Sequence, residues 1–280
     1  MDKISWEIIK PEIKNDLFYN IIIKLLQTCD DITNILEIGA SSGDGSTEAF
    51  IIGKKNKDMN LFSIEVCTER FNLLKERYLN EVNFFPYNIS SVSIKDFPTN
   101  ELLQIFFSNK KNDNLNYTDL NLLYEWLNND INYININNIE EDGINKIKKE
   151  NNIIFFDMVL IDGSEFTGTK EFENIYGAKY IMLDDIKGYK NFENHHKLKN
   201  DINYKCLIED YSLRNGFSIF KKIIENDSNN YQWINIIKQN EFQKDFIKKK
   251  FENKIKQNIE FIKNKNKNKN KKLSRFQFNF

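Results

Sequence analysis

The 280-residue chain predicts an α/β fold: a doubly wound, mostly parallel seven-stranded sheet with an antiparallel last strand, plus a helical C-terminal extension. Three observations carry that expectation. Short apolar runs alternate with amphipathic helical stretches, the order of a parallel sheet covered on both faces. The first run ends in a glycine-containing turn that opens directly into a helix. The last two runs are joined by a turn containing Arg214-Asn215-Gly216, a hairpin signal that reverses one strand against the rest.

Each element follows in order. Leu17, Phe18, Ile21, Ile22, Leu25 and Leu26 recur at helical spacing, giving about three turns of amphipathic helix before the first strand. That strand, 34–38, runs into Glu37-Ile38-Gly39-Ala40-Ser41-Ser42-Gly43-Asp44-Gly45-Ser46, and 47–52 starts a helix. A second strand, 60–64, closes on Glu65 and precedes a helix over 68–78. A third, 82–87, ends at Asn88. From 97 to 152 the pattern loosens into helical pieces with an apolar stripe of Leu120, Leu123, Tyr124 and Leu127, an insertion expected to cover the sheet edge or the site. The most apolar strand, 155–161, is followed by Asp162-Gly163-Ser164, and 180–183 by Asp184-Asp185. Strands 204–209 and 217–220 complete the sheet, so the main domain is expected over 1–222. Trp233, Ile236, Ile237, Phe242, Phe246, Phe251, Ile255 and Ile259 predict one or two amphipathic helices within 223–262, and 263–280 is a basic, low-complexity tail. The apolar faces of those helices suit their own domain or a second subunit, which makes a homo-oligomer one expectation.

Composition excludes several classes. Lys and Arg number 40 against 41 Asp and Glu, for a formal charge of −1, so no global basic field favours nucleic acid and no DNA partner is expected. Cys29, Cys67 and Cys206 are odd in number and far apart, which excludes a disulfide framework and fits a reducing, cytoplasmic compartment. No run approaches the ~18 apolar residues of a membrane span, so no transmembrane segment is expected.

The glycine turn carries the chemistry. Gly39 and Gly43 allow a ligand close to the backbone at a helix N-terminus, where free N–H groups and the helix dipole favour a carboxylate or phosphate. No Gly-Lys-Ser/Thr follows, which excludes a P-loop, and the dinucleotide spacing fails at Ser41 and Asp44 or at Glu48. Glu65 stands about 20 residues on, where a carboxylate accepts both hydroxyls of a ribose. The turn Glu37-Ile38-Gly39-Ala40-Ser41-Ser42-Gly43 resembles the Glu/Asp-x-Gly-x-Gly-x-Gly motif of class I S-adenosylmethionine-dependent methyltransferases, departing from it at Ser41. The resemblance covers roughly 34–222. It implies S-adenosylmethionine as cofactor, held by Glu37, Gly39, Ala40, Ser41, Gly43, Glu65 and Asp162, with Asn88 where the family often contacts adenine.

Asp162, Asp184 and Asp185 each end a predicted strand, and ligands in open α/β sheets sit outside the carboxyl ends of strands, so the three are expected to converge. Three hard oxygen ligands with room for water suit Mg²⁺ or Ca²⁺ rather than zinc. The pattern resembles the metal site of catechol-type and sugar O-methyltransferases, which implies a divalent ion that lowers the pKa of a substrate hydroxyl and fixes its line of attack. The plainer alternative is that these acids cap a helix or start a turn. His195 and His196 follow soon after the pair and are candidates for the general base, with Asp185 also in the catalytic set and Lys187 a lesser candidate. The loop 163–170, with Ser164, Glu165 and Thr167, is placed for substrate contact. Methyltransferases of bases carry Asp/Asn-Pro-Pro-aromatic after strand four, whereas this chain has Asp162-Gly163-Ser164-Glu165-Phe166. The leading expectation is O-methylation of a small hydroxylated molecule, such as a sugar or sugar nucleotide. One rival is metal-independent methylation of an amine, phosphate or carboxylate. Another is a scaffold that keeps the fold without catalysis.

Overall fold

The computed structural model describes residues 11–54, 58–109, 115–116, 119–223, 231–242, 244 and 249. Its elements are α1 (Leu17–Thr28), β1 (Asn34–Ile38), α2 (Ser46–Lys54), β2 (Asn60–Ile64), α3 (Thr68–Arg77), β3 (Phe84–Tyr87), α4 (Asn100–Asn109), α5 (Leu120–Asn137), α6 (Gly143–Glu150), β4 (Met158–Ile161), α7 (Gly168–Ile175), β5 (Tyr180–Asp184), α8 (Tyr189–Lys199), β6 (Tyr204–Asp210) and β7 (Phe217–Lys222).

The sheet has seven strands in the order β3-β2-β1-β4-β5-β7-β6. The pairs β3–β2, β2–β1, β1–β4 and β4–β5 are parallel, whereas β7 runs antiparallel to both β5 and β6. This is the expected doubly wound α/β sheet with its reversed last strand. The strand order turns back between β1 and β4, and that switch point opens a crevice at the carboxyl ends of those strands. The central strands are buried along nearly their whole length, which is why they read as continuous apolar runs rather than as alternation.

Two strands start later than the apolar runs suggest. Strand β3 begins at Phe84 because Asn83 turns the chain with φ +56, leaving Val82 exposed. Strand β4 begins at Met158: Ile154 and Phe155 are exposed, and the Asp157 carboxylate accepts the N–H groups of Thr33 and Asn34 at 2.8 and 2.9 Å, pinning the entry to the strand beside β1. Hydrophobic periodicity cannot distinguish a strand from the apolar loop that feeds it.

The insertion forms α4, α5 and α6. Helix α5 starts at Asp119, whose carboxylate caps the N–H groups of Asn121 and Leu122, and it buries Leu123 and Leu127 of the expected stripe. The chain divides into two compact units after Tyr231. Tyr231 is tied to the first unit by its hydroxyl contact of 2.7 Å with Tyr180 and by Lys221 Nζ, which donates to it at 2.8 Å. In the second unit 232–242 is helical. The helix expected around Phe246, Phe251, Ile255 and Ile259 and the tail at 263–280 lie outside the described residues. Among the described residues no helix is long and apolar enough to cross a membrane.

Candidate functional site

A cavity of about 660 Å³ lies over the switch point, within the usual range for small-molecule sites. Its floor is the ends of β1 and β4. Gly39 and Ala40 both donate their N–H groups to Ile64 O at 3.0 Å, and Asp162 N donates to Ile38 O at 3.0 Å. Gly39 has φ +90, and a Cβ there would collide with the Asp162 carbonyl oxygen, so only glycine lets the two strand ends lie side by side. Ser41 takes φ +50 where the motif has glycine. Its N–H donates to Glu65 Oε2 at 2.7 Å, which offsets the cost of a left-handed serine.

Glu65 leaves β2 buried, with its second oxygen accepting Cys67 N at 2.8 Å. Burial pushes its carboxyl up, opposed by the Cys67 N–H, Arg70 and the Ser41 N–H. The wall beyond it comes from the insertion, whose α5 contributes Trp126, Asn129, Asp130, Tyr133 and Ile134 to the cavity. Tyr133 ties α5 to the β2–α3 loop: its hydroxyl accepts Thr68 N at 2.9 Å and donates to Glu69 at 3.0 Å. Asp130 accepts the Ser164 hydroxyl at 2.5 Å, and burial lifts its carboxyl to about 6 against that bond. None of these α5 residues was singled out from the sequence as a site residue, because helical periodicity gives a buried face but not what that face covers.

Opposite them Asp162, Asp184 and Asp185 converge as expected, with one oxygen of each lying within 4.8 Å of the others. The donor chemistry is that of a hard divalent ion, but cations of the chain already hold those oxygens. Lys190 Nζ bridges Asp162 Oδ1 at 2.9 Å and Asp185 Oδ2 at 2.8 Å, and approaches Gly163 O at 3.4 Å. Arg214 binds Asp184 Oδ1 at 2.6 Å through one nitrogen and Asp16 through another. Magnesium would need the same oxygens at about 2.0–2.1 Å. With Lys190 in this position the cluster therefore does not fit a divalent ion.

Electrostatics follow from this pairing. Burial pulls the Lys190 amine down, but Asp162 and Asp185 outweigh it and hold the group as an ammonium. Burial raises Asp185, yet Lys190 and its hydrogen bond hold that carboxylate below its ordinary range. Asp184, deeper and beside two other acids, is raised well above the usual range by burial. Asp185 Oδ1 is buried with no hydrogen bond. Asn191 locks the two strand ends together, its amide donating to Ile161 O at 3.0 Å and Asp184 O at 2.7 Å.

Of the residues singled out in the sequence, Gly39, Ala40, Ser41, Glu65, Asp162, Asp184 and Asp185 line the cavity, as do Gly163, Ser164, Glu165 and Thr167 of the loop. Six do not line it. Glu37 lies beneath the floor, wholly buried, and accepts the hydroxyls of Ser46, Thr47 and Ser63 at 2.6, 2.9 and 2.7 Å. Burial lifts it to about 7 against those bonds, so its role is to hold the start of α2 to β1 and β2. Gly43 has φ +81 and packs under Leu74 and Tyr78. Asn88 spends its side chain on the loop after β2, donating to Glu65 O and Val66 O and accepting from Thr68.

His195 is the clearest correction. It faces the sheet, wholly buried, with Nδ1 3.0 Å from Ser218 Oγ and Nε2 2.9 Å from the Tyr211 hydroxyl, and burial pushes it down to about 4. His196 packs its ring on Phe192, centroids 4.6 Å apart, away from the cavity lining. Lys187 reaches Tyr211 O at 3.4 Å and does not line the cavity either. Helix α8 starts at Tyr189, so the residue it turns into the site is Lys190, not the histidines a turn and more beyond it.

No family model and no curated protein sequence matches the chain. Solved structures similar to it include a putative O-methyltransferase from Klebsiella pneumoniae, at 10% identity and TM-score 0.45 over 74% of this chain and 79% of that one. An O-methyltransferase from Bacillus cereus in complex with SAH is similar at 12% identity and TM-score 0.42, over 74% and 80%. A methyltransferase from Geobacter sulfurreducens is similar at 8% identity and TM-score 0.45, over 76% and 81%.

Proposed function

We propose that the protein is an S-adenosylmethionine-dependent O-methyltransferase of a small, uncharged hydroxylated acceptor such as a sugar. The observation that carries this reading is one cavity with two unlike halves. On one side are the tight Gly39 turn, the N-terminus of α2 and the Glu65 carboxylate, and on the other is an acidic cluster.

The first half fits an adenosyl amino acid. Gly45 and Ser46 at the start of α2 line the cavity where the helix dipole attracts a carboxylate, and Glu65 supplies the acceptor for ribose hydroxyls. Bound S-adenosylmethionine supplies a methyl group on a positively charged sulfur, open to in-line displacement by an oxygen nucleophile. Trp126, Tyr133 and Phe166 give the cavity apolar wall surface.

The second half supplies the proton acceptor. Asp185 lines the cavity and is held ionised by Lys190, with Asn215 adding to the effect. In this reading the Asp185 carboxylate takes the proton of the acceptor hydroxyl as the hydroxyl oxygen forms its bond to the methyl carbon, and the electrons of the breaking carbon–sulfur bond remain on sulfur. Carboxylates outnumber cations seven to two in the lining. That field suits a cationic methyl donor and an uncharged acceptor, and opposes the diphosphate of a sugar nucleotide.

Calorimetric titration with S-adenosylhomocysteine tests the reading. Micromolar binding by the intact chain, lost in Glu65→Ala, is the expected result. An intact, folded chain that binds neither S-adenosylhomocysteine nor S-adenosylmethionine would overturn it.

A further inference from the structure

We propose that Lys190 is the resident cation of this site, standing where a divalent metal would sit, so that the acidic cluster works without a metal ion. This deepens the proposed function and rests on it for the reaction, but the cation assignment itself concerns only the protein's own residues.

The position of the ammonium is the reason. A divalent ion bound by Asp162 and Asp185 would lie between their facing oxygens, and Lys190 Nζ lies there, 2.9 and 2.8 Å from them. The Lys190 side chain is only 5% exposed, so its charge is met by these carboxylates rather than by bulk water. Its remaining contact, Gly163 O at 3.4 Å, uses the third donor of the ammonium. Backbone packing fixes the side chain's origin: a Cβ on Gly168 at the start of α7 would collide with Lys190 O, so α7 and α8 meet here without room for adjustment. The third carboxylate, Asp184, has its own cation in Arg214, which also binds Asp16.

Lys190 is accordingly a positioning residue. It keeps Asp162 and Asp185 together and holds the Asp185 carboxylate in one orientation at the cavity wall. A metal would do the same while also binding the substrate oxygen. An ammonium whose three donors are spent on the chain does not bind that oxygen, so the acceptor is held by Asp185 and the surrounding loop instead. This marks the acceptor as one hydroxyl at a time rather than a pair of adjacent oxygens chelated to an ion.

The test uses Mn²⁺ as probe, read by the loss of its free electron-paramagnetic-resonance signal in the presence of the full chain. The wild-type protein is expected to leave Mn²⁺ free up to millimolar concentration. Lys190→Ala, which frees two carboxylates, is expected to bind one Mn²⁺ at least ten-fold more tightly, to rise in Tm when Mn²⁺ is added, and to lose both effects when combined with Asp162→Asn. Stoichiometric, micromolar Mn²⁺ binding by wild type would overturn the assignment, even if the variant fails to fold. A folded Lys190→Ala or Lys190→Gln that gains no Mn²⁺ affinity would overturn it as well. Titrating the same wild-type sample with S-adenosylhomocysteine tests the methyltransferase reading separately, since neither result depends on the other.

Discussion

The two ends of the cavity solve one problem in different ways. Both bury carboxylates, which costs several kcal/mol unless the charge is met. Beside β1 and β2 the chain meets it chiefly with dipoles, three hydroxyls on Glu37 and two backbone N–H groups on Glu65, the latter helped by the charge of Arg70. Beside β4 and β5 it meets it with whole charges, Lys190 on Asp162 and Asp185 and Arg214 on Asp184. Dipoles leave a carboxylate able to accept further bonds and to take up a proton, as the upward shift of Glu37 to about 7 shows. Whole charges keep Asp185 ionised, while Asp162, which shares Lys190, is still lifted by burial to about 6.

The contrast is broken most severely by removing a charge. Arg214→Ala leaves Asp184 and Asp16 without their shared cation, and Asp184 is nearly fully buried. The expected loss is about 3–5 kcal/mol of unfolding free energy, the cost of stranding a buried charge. Urea unfolding measures it, and a loss under about 1 kcal/mol would show that solvent screens this pair. On the dipole side, Glu65→Gln keeps the shape but not the charge and supplies only one accepting oxygen for two N–H groups. S-adenosylhomocysteine affinity is expected to fall ~100-fold, about 2.7 kcal/mol. Unchanged affinity would remove Glu65 from the ribose site.

The same contrast explains what could be read in advance. The turn, its glycines and Glu65 are written within one βαβ unit, so their meeting follows from local geometry. The convergence of Asp162, Asp184 and Asp185 follows from the general rule that sites form at strand ends. What was not legible depends on direction. Lys190 and His195 stand on the same helix and both follow Asp185 closely, yet one turns into the cavity and the other into the sheet. The choice is fixed by where α8 begins, after Gly188, and by Ser218 on β7, a contact no local spacing reveals. Arg214 bridges to Asp16 across 198 residues, and was visible in the sequence only as part of a turn.

A smaller effect sharpens the comparison through pH. Because the folded state raises Glu37 above the ordinary carboxylate value, its contribution to stability is complete below about 4.5 and is lost as pH rises through about 7. Between pH 6 and pH 8 wild type should lose about 1 kcal/mol from this group, and Glu37→Gln should flatten that part of the profile. Thermal unfolding across the range reads the difference. Parallel profiles for the two proteins would mean that the hydroxyl bonds hold Glu37 ionised throughout.

The smallest expected effect concerns His196, a base candidate by sequence position that the fold turns elsewhere. Its ring rests on Phe192 rather than in the cavity lining, so His196→Ala removes ring packing and no proton acceptor. The expected change in kcat is within about two-fold, below ~0.5 kcal/mol in the barrier. The acid limb of the pH–rate profile should also stay where Asp185 places it, well under neutrality, because that carboxylate is held below its ordinary range by Lys190. A limb near 6.5 that His196→Ala abolishes would return the base to the histidine. It would also mean that α8 shifts by part of a turn when substrate binds, since His196 and Lys190 cannot both face the cavity from the positions they hold.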